Sequence, residues 1–166
     1  MSVGNGTSAN VIGARLVDPG PYIYIKRAWN QIVERLTMGL EFVNPLDAPA
    51  PAANYSNLAI VPAGYRMLLI AGQIGNLSDG SIVDGLEAQY EKAVENILAI
   101  VKSQGGNSTN IAKITVFLTE KPTQRGMADR VNKKFFLGPP AMSWIYVQEL
   151  FRPDVKVEIE AIAAVP

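Results

Sequence analysis

Apolar residues follow different periods in different parts of the chain, and the change of period divides it into segments. A helical period over residues 23–38 predicts an amphipathic helix whose apolar stripe needs a surface to pack on. The residues of this stripe are Ile25, Trp29, Ile32, Val33, Leu36 and Leu40. Residues 45–53 (PLDAPAPAA) are typical of an extended linker. We therefore predict an N-terminal arm of residues 1–52 and a main domain of residues 53–166.

In the main domain, the first two segments have strand character. Strands are expected over residues 57–62 and 65–73, joined by a turn at residues 62–64 (PAG). The second of them contains the continuous apolar run MLLIA at residues 67–71. Such a run is typical of a strand that is buried on both faces.

The rest of the domain alternates between helices and strands. A long helix is predicted because apolar residues repeat at helical spacing until two adjacent glycines end the pattern. The residues of its apolar face are Leu86, Tyr90, Ala93, Val94, Ile97 and Val101. A strand at residues 111–118, a helix at 123–136 and strands at 141–150 and 155–165 are expected to follow. This β-β-α-β-α-β-β order predicts an α+β fold, with both helices on one face of a mixed sheet and a second subunit covering the other.

Composition restricts the chemistry that such a domain can perform. Fifteen basic residues balance fifteen acidic ones, so no net charge favours binding to nucleic-acid phosphates or anionic membranes. The chain has neither cysteine nor histidine, which excludes disulfides, His-based triads and metal sites built on those ligands. Acid–base work then falls to Asp, Glu, Lys, Tyr or water. The polar N-terminus and the lack of an apolar run of ~20 residues favour a cytoplasmic location, without signal peptide or membrane span.

Four short blocks occur in order along the main domain: residues 71–74 (AGQI), 114–119 (ITVFLT), 140–143 (PAMS) and 154–163 (DVKVEIEAIA). Together they resemble the Rid (YjgF-like, reactive-intermediate deaminase) family. The first three resemble its Ser-Gly-Gln-Ile, Thr-Thr-Val-Phe-Leu-Thr and Pro-Ala-Arg-Ser motifs, and the fourth its C-terminal signature. The N-terminal arm lies outside the resemblance.

The resemblance implies a chorismate-mutase-like fold that assembles as a homotrimer, with ligand clefts at the subunit interfaces. The activity it implies is hydrolysis of reactive enamines or imines, such as 2-aminoacrylate, to a 2-oxo acid and ammonia. Neither a cofactor nor a metal is expected.

At several positions of the implied cleft, this chain departs from the family pattern. The arginine of Pro-Ala-Arg-Ser, whose planar fork suits a substrate carboxylate, is replaced by Met142. Trp144 stands at the position of a Cys or Thr, and Asp129 aligns with an asparagine. Ala71 replaces the strand-end serine beside Gly72. All five are candidate substrate-binding residues, in a cleft that has lost polar groups and gained an aromatic wall.

Glu160 is the candidate catalytic residue that the resemblance leaves in place. Within residues 155–165 it lies on the less apolar strand face, between charged and apolar positions. A carboxylate there can hold and activate water. The alternative is a solvated strand residue that pairs with Lys156. Tyr55 matches a family tyrosine and either lines the cleft or is a half-buried aromatic at the sheet edge.

Three functions remain open. The first is a Rid-like enzyme acting on a small reactive enamine or imine, larger or more apolar than 2-aminoacrylate because Met142 and Trp144 replace polar groups. The second is a non-catalytic Rid-family trimer that binds a small molecule. The third, ribonuclease activity, has the least support, because no basic run with interleaved aromatics is present. We therefore expect neither a nucleic-acid nor a membrane partner.

Overall fold

The computed structural model describes residues 25, 26, 29, 39–124 and 126–166. The chain divides into two compact units, Met1–Glu34 and Arg35–Pro166. Residues 25, 26 and 29 are helical. The other positions of the helix predicted over residues 23–38, and with them the packing of its stripe, lie outside the described residues. The boundary placed after residue 52 stays a prediction.

Within the described residues, the second unit contains six strands, two α-helices and one short 3-10 helix. In chain order they are β1 (Glu41–Val43), β2 (Leu58–Ile60), β3 (Arg66–Ile74), α1 (Leu86–Ser103), η1 (Ser108–Asn110), β4 (Ile111–Leu118), α2 (Met127–Phe135), β5 (Ala141–Tyr146) and β6 (Val157–Val165). Apart from β1, which the sequence pattern did not indicate, this is the predicted order of strands and helices. The α+β class is confirmed.

The main sheet has the strand order β3-β6-β4-β5. Strand β6 is antiparallel to both of its neighbours, whereas β4 and β5 are parallel and are connected through α2. The sheet is therefore mixed, as predicted. Strands β2 and β3 are joined by the expected turn, in which Gly64 has a φ of 91°. However, β2 pairs with β1 in a separate two-stranded sheet.

One face of the main sheet is covered by the helices. All the predicted apolar residues of α1 are buried, and Gln89 is buried with them. Its amide donates a hydrogen bond to the Asp154 carbonyl (2.9 Å) and accepts one from the Lys156 amide (2.7 Å), so this polar side chain is satisfied. Against the helices pack alternate residues of the two central strands. They are Ile114, Val116 and Leu118 of β4, and Val157, Ile159, Ala161 and Ala163 of β6.

The opposite face, here called the open face, has no layer of this chain's described residues over it. Leu69 is 80% exposed and Met67 49%, although Ile70, which follows Leu69 and faces the helices, is buried. The prediction that residues 67–71 are buried on both faces is therefore wrong for the single chain. Side chains alternate along a strand, and only the helix side of β3 has a covering layer.

Candidate functional site

A cavity of about 590 Å³ lies between the first half of α2 and the edge strand β5. The loops at residues 53–55 and 121–124 complete its wall. We call it the α2–β5 cavity. Its volume lies within the range of about 300–1,000 Å³ that is usual for small-molecule sites.

The register of β5 determines which of its side chains enter this cavity. Met142, Trp144 and Tyr146 pair with Ile114, Val116 and Leu118 of the parallel neighbour β4, whose side chains are buried beneath the helices. The three β5 residues therefore lie on the helix side of the sheet, two residues apart. Because β5 is an edge strand, their side chains border the cavity, and Met142 and Trp144 also pack against the core.

The other two walls come from α2 and from the loop before β2. Asp129 and Asn132 are three residues apart in α2, a spacing that puts both on one helix face. The loop is attached to β5 at Ser56, whose backbone N–H donates to the Pro140 carbonyl (3.1 Å) and whose hydroxyl donates to the Pro139 carbonyl (2.8 Å). These bonds hold the preceding residue, Tyr55, beside the cavity.

Three residues that line the cavity, Asn132, Met142 and Trp144, form a connected group with the buried Tyr90. The Tyr90 hydroxyl donates to Asn132 Oδ1 (2.8 Å), and Trp144 Nε1 donates to Met142 Sδ (2.8 Å). Asn132 Nδ2 lies 4.0 Å from the same sulfur. The Tyr90 and Trp144 rings are 5.8 Å apart. The Met142 thioether is thus held by two N–H donors, which fixes the apolar group that stands at the motif arginine's position.

Burial dominates the electrostatics beneath the cavity. Tyr90 is fully buried, and loss of hydration raises the pKa of its phenol well above the usual value, with the Asn132 hydrogen bond opposing the shift only in part. The phenol therefore stays protonated and remains a donor to Asn132.

Asp129 is the carboxylate among the described residues that line the cavity. It is half-buried in the first turn of α2, where the helix dipole favours a negative charge. Lys121 also lines the cavity but is exposed. Among the residues that the structure describes, neither side chain forms a hydrogen bond or an ion pair, so both charges are available to a ligand.

Four of the predicted site residues are brought together by this arrangement. Tyr55, Asp129, Met142 and Trp144 all line the α2–β5 cavity, although they come from a loop, a helix and a strand. Their roles toward a ligand stay predictions.

Glu160 lies elsewhere. Its side chain is exposed on the open face, in register with Thr115. It borders a shallow depression of about 300 Å³ that also contains Leu69 and Lys113. The alternative pairing with Lys156 is not found, because the Lys156 ammonium contacts Glu120 (3.0 Å). Within one chain, the sheet separates Glu160 from the α2–β5 cavity.

Ala71 and Gly72 lie on β3 at a register shift between Ile70 and Gln73, and neither lines the α2–β5 cavity. Gly72 has a packing role: a methyl group there would approach Glu158 Oε1 to 1.8 Å. Because Gly72 has no side chain, the side chain of Glu158 can lie across β3 at this position.

Sequence reasoning missed several lining residues, notably Asn132 and Tyr146. Both had a usable signal. Asn132 is one helical turn after Asp129, and Tyr146 is two strand positions after Trp144, so each shares the face of a residue already chosen. Within the described part of the chain, no group of three or more Asp or Glu residues could hold a metal ion, and no helix is long and apolar enough to cross a membrane.

Comparison with known proteins places this geometry in a family. Residues 45–165 match the family model described as endoribonuclease L-PSP. The chain is 33% identical over 118 residues to the 2-iminobutanoate/2-iminopropanoate deaminase of Rattus norvegicus, covering 70% of this chain and 83% of that protein. It is 32% identical over 136 residues to protein DfrA of Myxococcus xanthus, covering 76% and 96%.

Solved structures agree with the sequence matches. TdcF of E. coli, solved with bound serine, is 31% identical with a TM-score of 0.55, covering 76% of this chain and 98% of that one. The Rid-family protein YyfB of Yersinia pestis has a TM-score of 0.66 and covers 77% and 100%, and at 24% identity it supports the fold alone. The chain therefore belongs to the Rid (YjgF-like) family, as a divergent member with Met142 in place of the motif arginine.

Proposed function

We propose that this protein hydrolyses a small reactive enamine or imine in a cleft formed between subunits. The observation that carries the proposal is the convergence of Tyr55, Asp129, Met142 and Trp144 on one cavity of suitable size. The family resemblance implies that residues at these positions line the ligand cleft. The deaminase named among the relatives supports this class of reaction.

The cleft is complete only if a second copy of the chain contributes to it. Glu160 lies on the open face, across the sheet from the cavity of its own chain. The same face exposes the apolar Leu69, which a neighbouring subunit would cover. We infer a homotrimer in which Glu160 of one copy faces the α2–β5 cavity of the next.

The proposed reaction needs only water and a base. Water adds to the carbon of the C=N bond, the C–N bond then breaks, and a carbonyl compound and ammonia are released. Glu160 takes a proton from the attacking water and returns a proton to the departing nitrogen. General acid–base assistance of this kind contributes about 10²–10⁴-fold to a rate.

The cavity favours a substrate that is larger or more apolar than 2-aminoacrylate. Met142 offers a thioether at the position where an arginine guanidinium would bind a carboxylate. A substrate with a carboxylate therefore loses binding free energy on the order of 2–4 kcal/mol. The described arginines of the second unit are engaged elsewhere. Arg66 donates to Gln104, Arg130 to Glu87 and Arg152 to Asp154.

A coupled assay for ammonia release tests the proposal. Freshly generated 2-iminopropanoate should turn over slowly, and imines with aromatic or long apolar side chains should turn over faster. Glu160→Gln should remove most of the faster rate, by about 10²–10⁴-fold. Glu158→Gln is the matched control, since it lies on the same strand face, and it should have little effect.

Three results would contradict the proposal. Turnover of 2-iminopropanoate that equals that of the rat relative would overturn the size preference. Equal and small effects of both substitutions would place the chemistry away from Glu160. If no imine is hydrolysed but Glu160→Gln alters ligand affinity, the chain is a non-catalytic binding trimer, the alternative that the missing arginine favours.

A further inference from the structure

The charge of the α2–β5 cavity differs from that of a site for carboxylates. Asp129 is half-buried in its wall and supplies a carboxylate there. Within the described residues its carboxylate oxygens have no hydrogen-bond donor, which leaves their full acceptor capacity toward the cavity. A carboxylate ligand bound there would meet a like charge.

Three aromatic side chains belong to the remaining wall. Tyr55, Trp144 and Tyr146 come from the loop and the edge strand and line the same cavity as Asp129. The faces of aromatic rings attract cations, and tryptophan is the most effective of them. A carboxylate together with three aromatic side chains is the combination that recognises an organic cation.

Lys121 is the opposing charge among the described lining residues. It is exposed, and its ammonium is hydrated and carried on a flexible stem. Asp129 is partly withdrawn from water, and charge interactions strengthen as the surrounding dielectric falls. Asp129 therefore has the greater influence on a ligand inside the cavity.

We propose that the α2–β5 cavity binds a cationic nitrogen, a protonated amine or iminium carried on an aromatic or apolar body. The nitrogen contacts Asp129 and the body packs on Trp144 and Tyr146. As a statement about substrate, this inference rests on the proposed function and narrows it to imines of amines that lack a carboxylate.

The chemistry is consistent with that reaction. A protonated imine, R₂C=NH₂⁺, carries its own positive charge, and with one water it gives R₂C=O and NH₄⁺. Atoms and charge balance without an oxidant, a reductant or a second substrate. A cavity that stabilises the iminium cation holds the form of the substrate that water attacks most readily.

Three probes with one phenylethyl body test the proposal on the full chain by calorimetry at pH 7.5. They are 2-phenylethylamine, 2-phenylethanol and 3-phenylpropanoate, which are cationic, neutral and anionic. The amine should bind about five- to tenfold more tightly than the alcohol, and the anion more weakly than both.

Two substitutions assign the preference to its residues. Asp129→Asn should bring the affinity for the amine to within about twofold of the affinity for the alcohol. Asp47→Asn is the control and should leave the preference for the amine intact, since Asp47 is an exposed acid outside the cavity. Tyr146→Ala should weaken all three probes together, because it removes part of the ring wall and no charge. Melting curves confirm that each variant is folded.

The proposal is overturned if the anion binds best and Lys121→Gln abolishes that preference, or if none of the probes binds the wild-type protein. Binding is measured without turnover, so the two proposals can fail separately. If the protein prefers the amine but hydrolyses no imine, the proposed enzyme activity is refuted and the proposed cation site is supported. If hydrolysis depends on Glu160 but the amine is not preferred, the cation site is refuted and the enzyme activity is supported.

Discussion

Tyr90 and Asn132 form a hydrogen bond between two buried side chains, beneath the α2–β5 cavity. Burial raises the pKa of Tyr90 above its ordinary value of 10.0. The folded protein therefore keeps the phenol proton at a pH where the unfolded chain releases it. The stability that follows is fully present below about pH 10 and is lost as the pH rises further.

Tyr90→Phe should lower the free energy of unfolding by about 1–3 kcal/mol at pH 8, because Asn132 Oδ1 then has no donor in a buried place. The difference between the two proteins should shrink at pH 10.5, where only the wild type loses stability through this phenol. Urea unfolding at both pH values measures it. Tyr146→Phe is the control, because Tyr146 is 52% exposed and should show neither effect. Equal stability of Tyr90→Phe and wild type at pH 8 would contradict the prediction.

At the scale of elements, β1 pairs with a strand of the main domain, although its residues belong to the arm that the sequence pattern predicts. Phe42 pairs with Ala59 of β2 in an antiparallel register. After the strand, Asn44 Oδ1 accepts a hydrogen bond from the Asn57 amide (2.8 Å), and the Pro49 carbonyl accepts one from Asn57 Nδ2 (2.9 Å). The Pro/Ala-rich segment is therefore hydrogen-bonded to the domain.

Removal of residues 1–50 should lower the melting temperature more than removal of residues 1–38, since only the longer deletion eliminates β1 and leaves β2 unpaired. A loss of about 1 kcal/mol shifts the melting temperature by roughly 2–8 °C in domains of this size class. Thermal unfolding followed by circular dichroism compares the two deletions with the full chain. Identical melting curves for the two deletions would show that β1 contributes nothing.

At the scale of the whole molecule, we predict that the open face is the surface through which subunits assemble. Leu69 and Met67 are exposed on β3, and Ile145 of the edge strand is 41% exposed. Ile162 and Glu160 of β6 lie on the same face, in register with Leu69 and Thr115. Large apolar side chains gathered on one sheet face are typical of a surface that another subunit buries.

Light scattering should give a mass near three times the 17.9 kDa of the chain. Leu69→Glu should reduce that mass, because it places a charge where a subunit would pack. Leu46→Glu is the matched control: Leu46 is fully exposed in the turn after β1 and should leave the mass unchanged. A stable monomer of the wild type at micromolar concentration would refute the trimer, and with it the proposed cleft.

The sequence by itself determined the features that depend on local spacing. The buried face of α1 followed from its helical period, and the apolar face of β6 from its alternation. Tyr55, Asp129, Met142 and Trp144 were chosen through the resemblance to a family, because an aligned position marks a place on a known fold. The local period of apolar residues and the order of motifs can both be read without knowing which segments of the chain contact each other.

Only the tertiary structure decided which surfaces these residues share. It put Met142 and Glu160 on opposite faces of the sheet. Met142 is in register with Ile114 of β4, whose side chain faces the helices, whereas Glu160 is in register with the next residue of β4, which lies on the open face. It formed β1 from three residues that had no partner visible in the sequence. It also left Leu69 exposed in a run that looked fully buried, since covering a face requires another layer and the period of one strand carries no information about that layer.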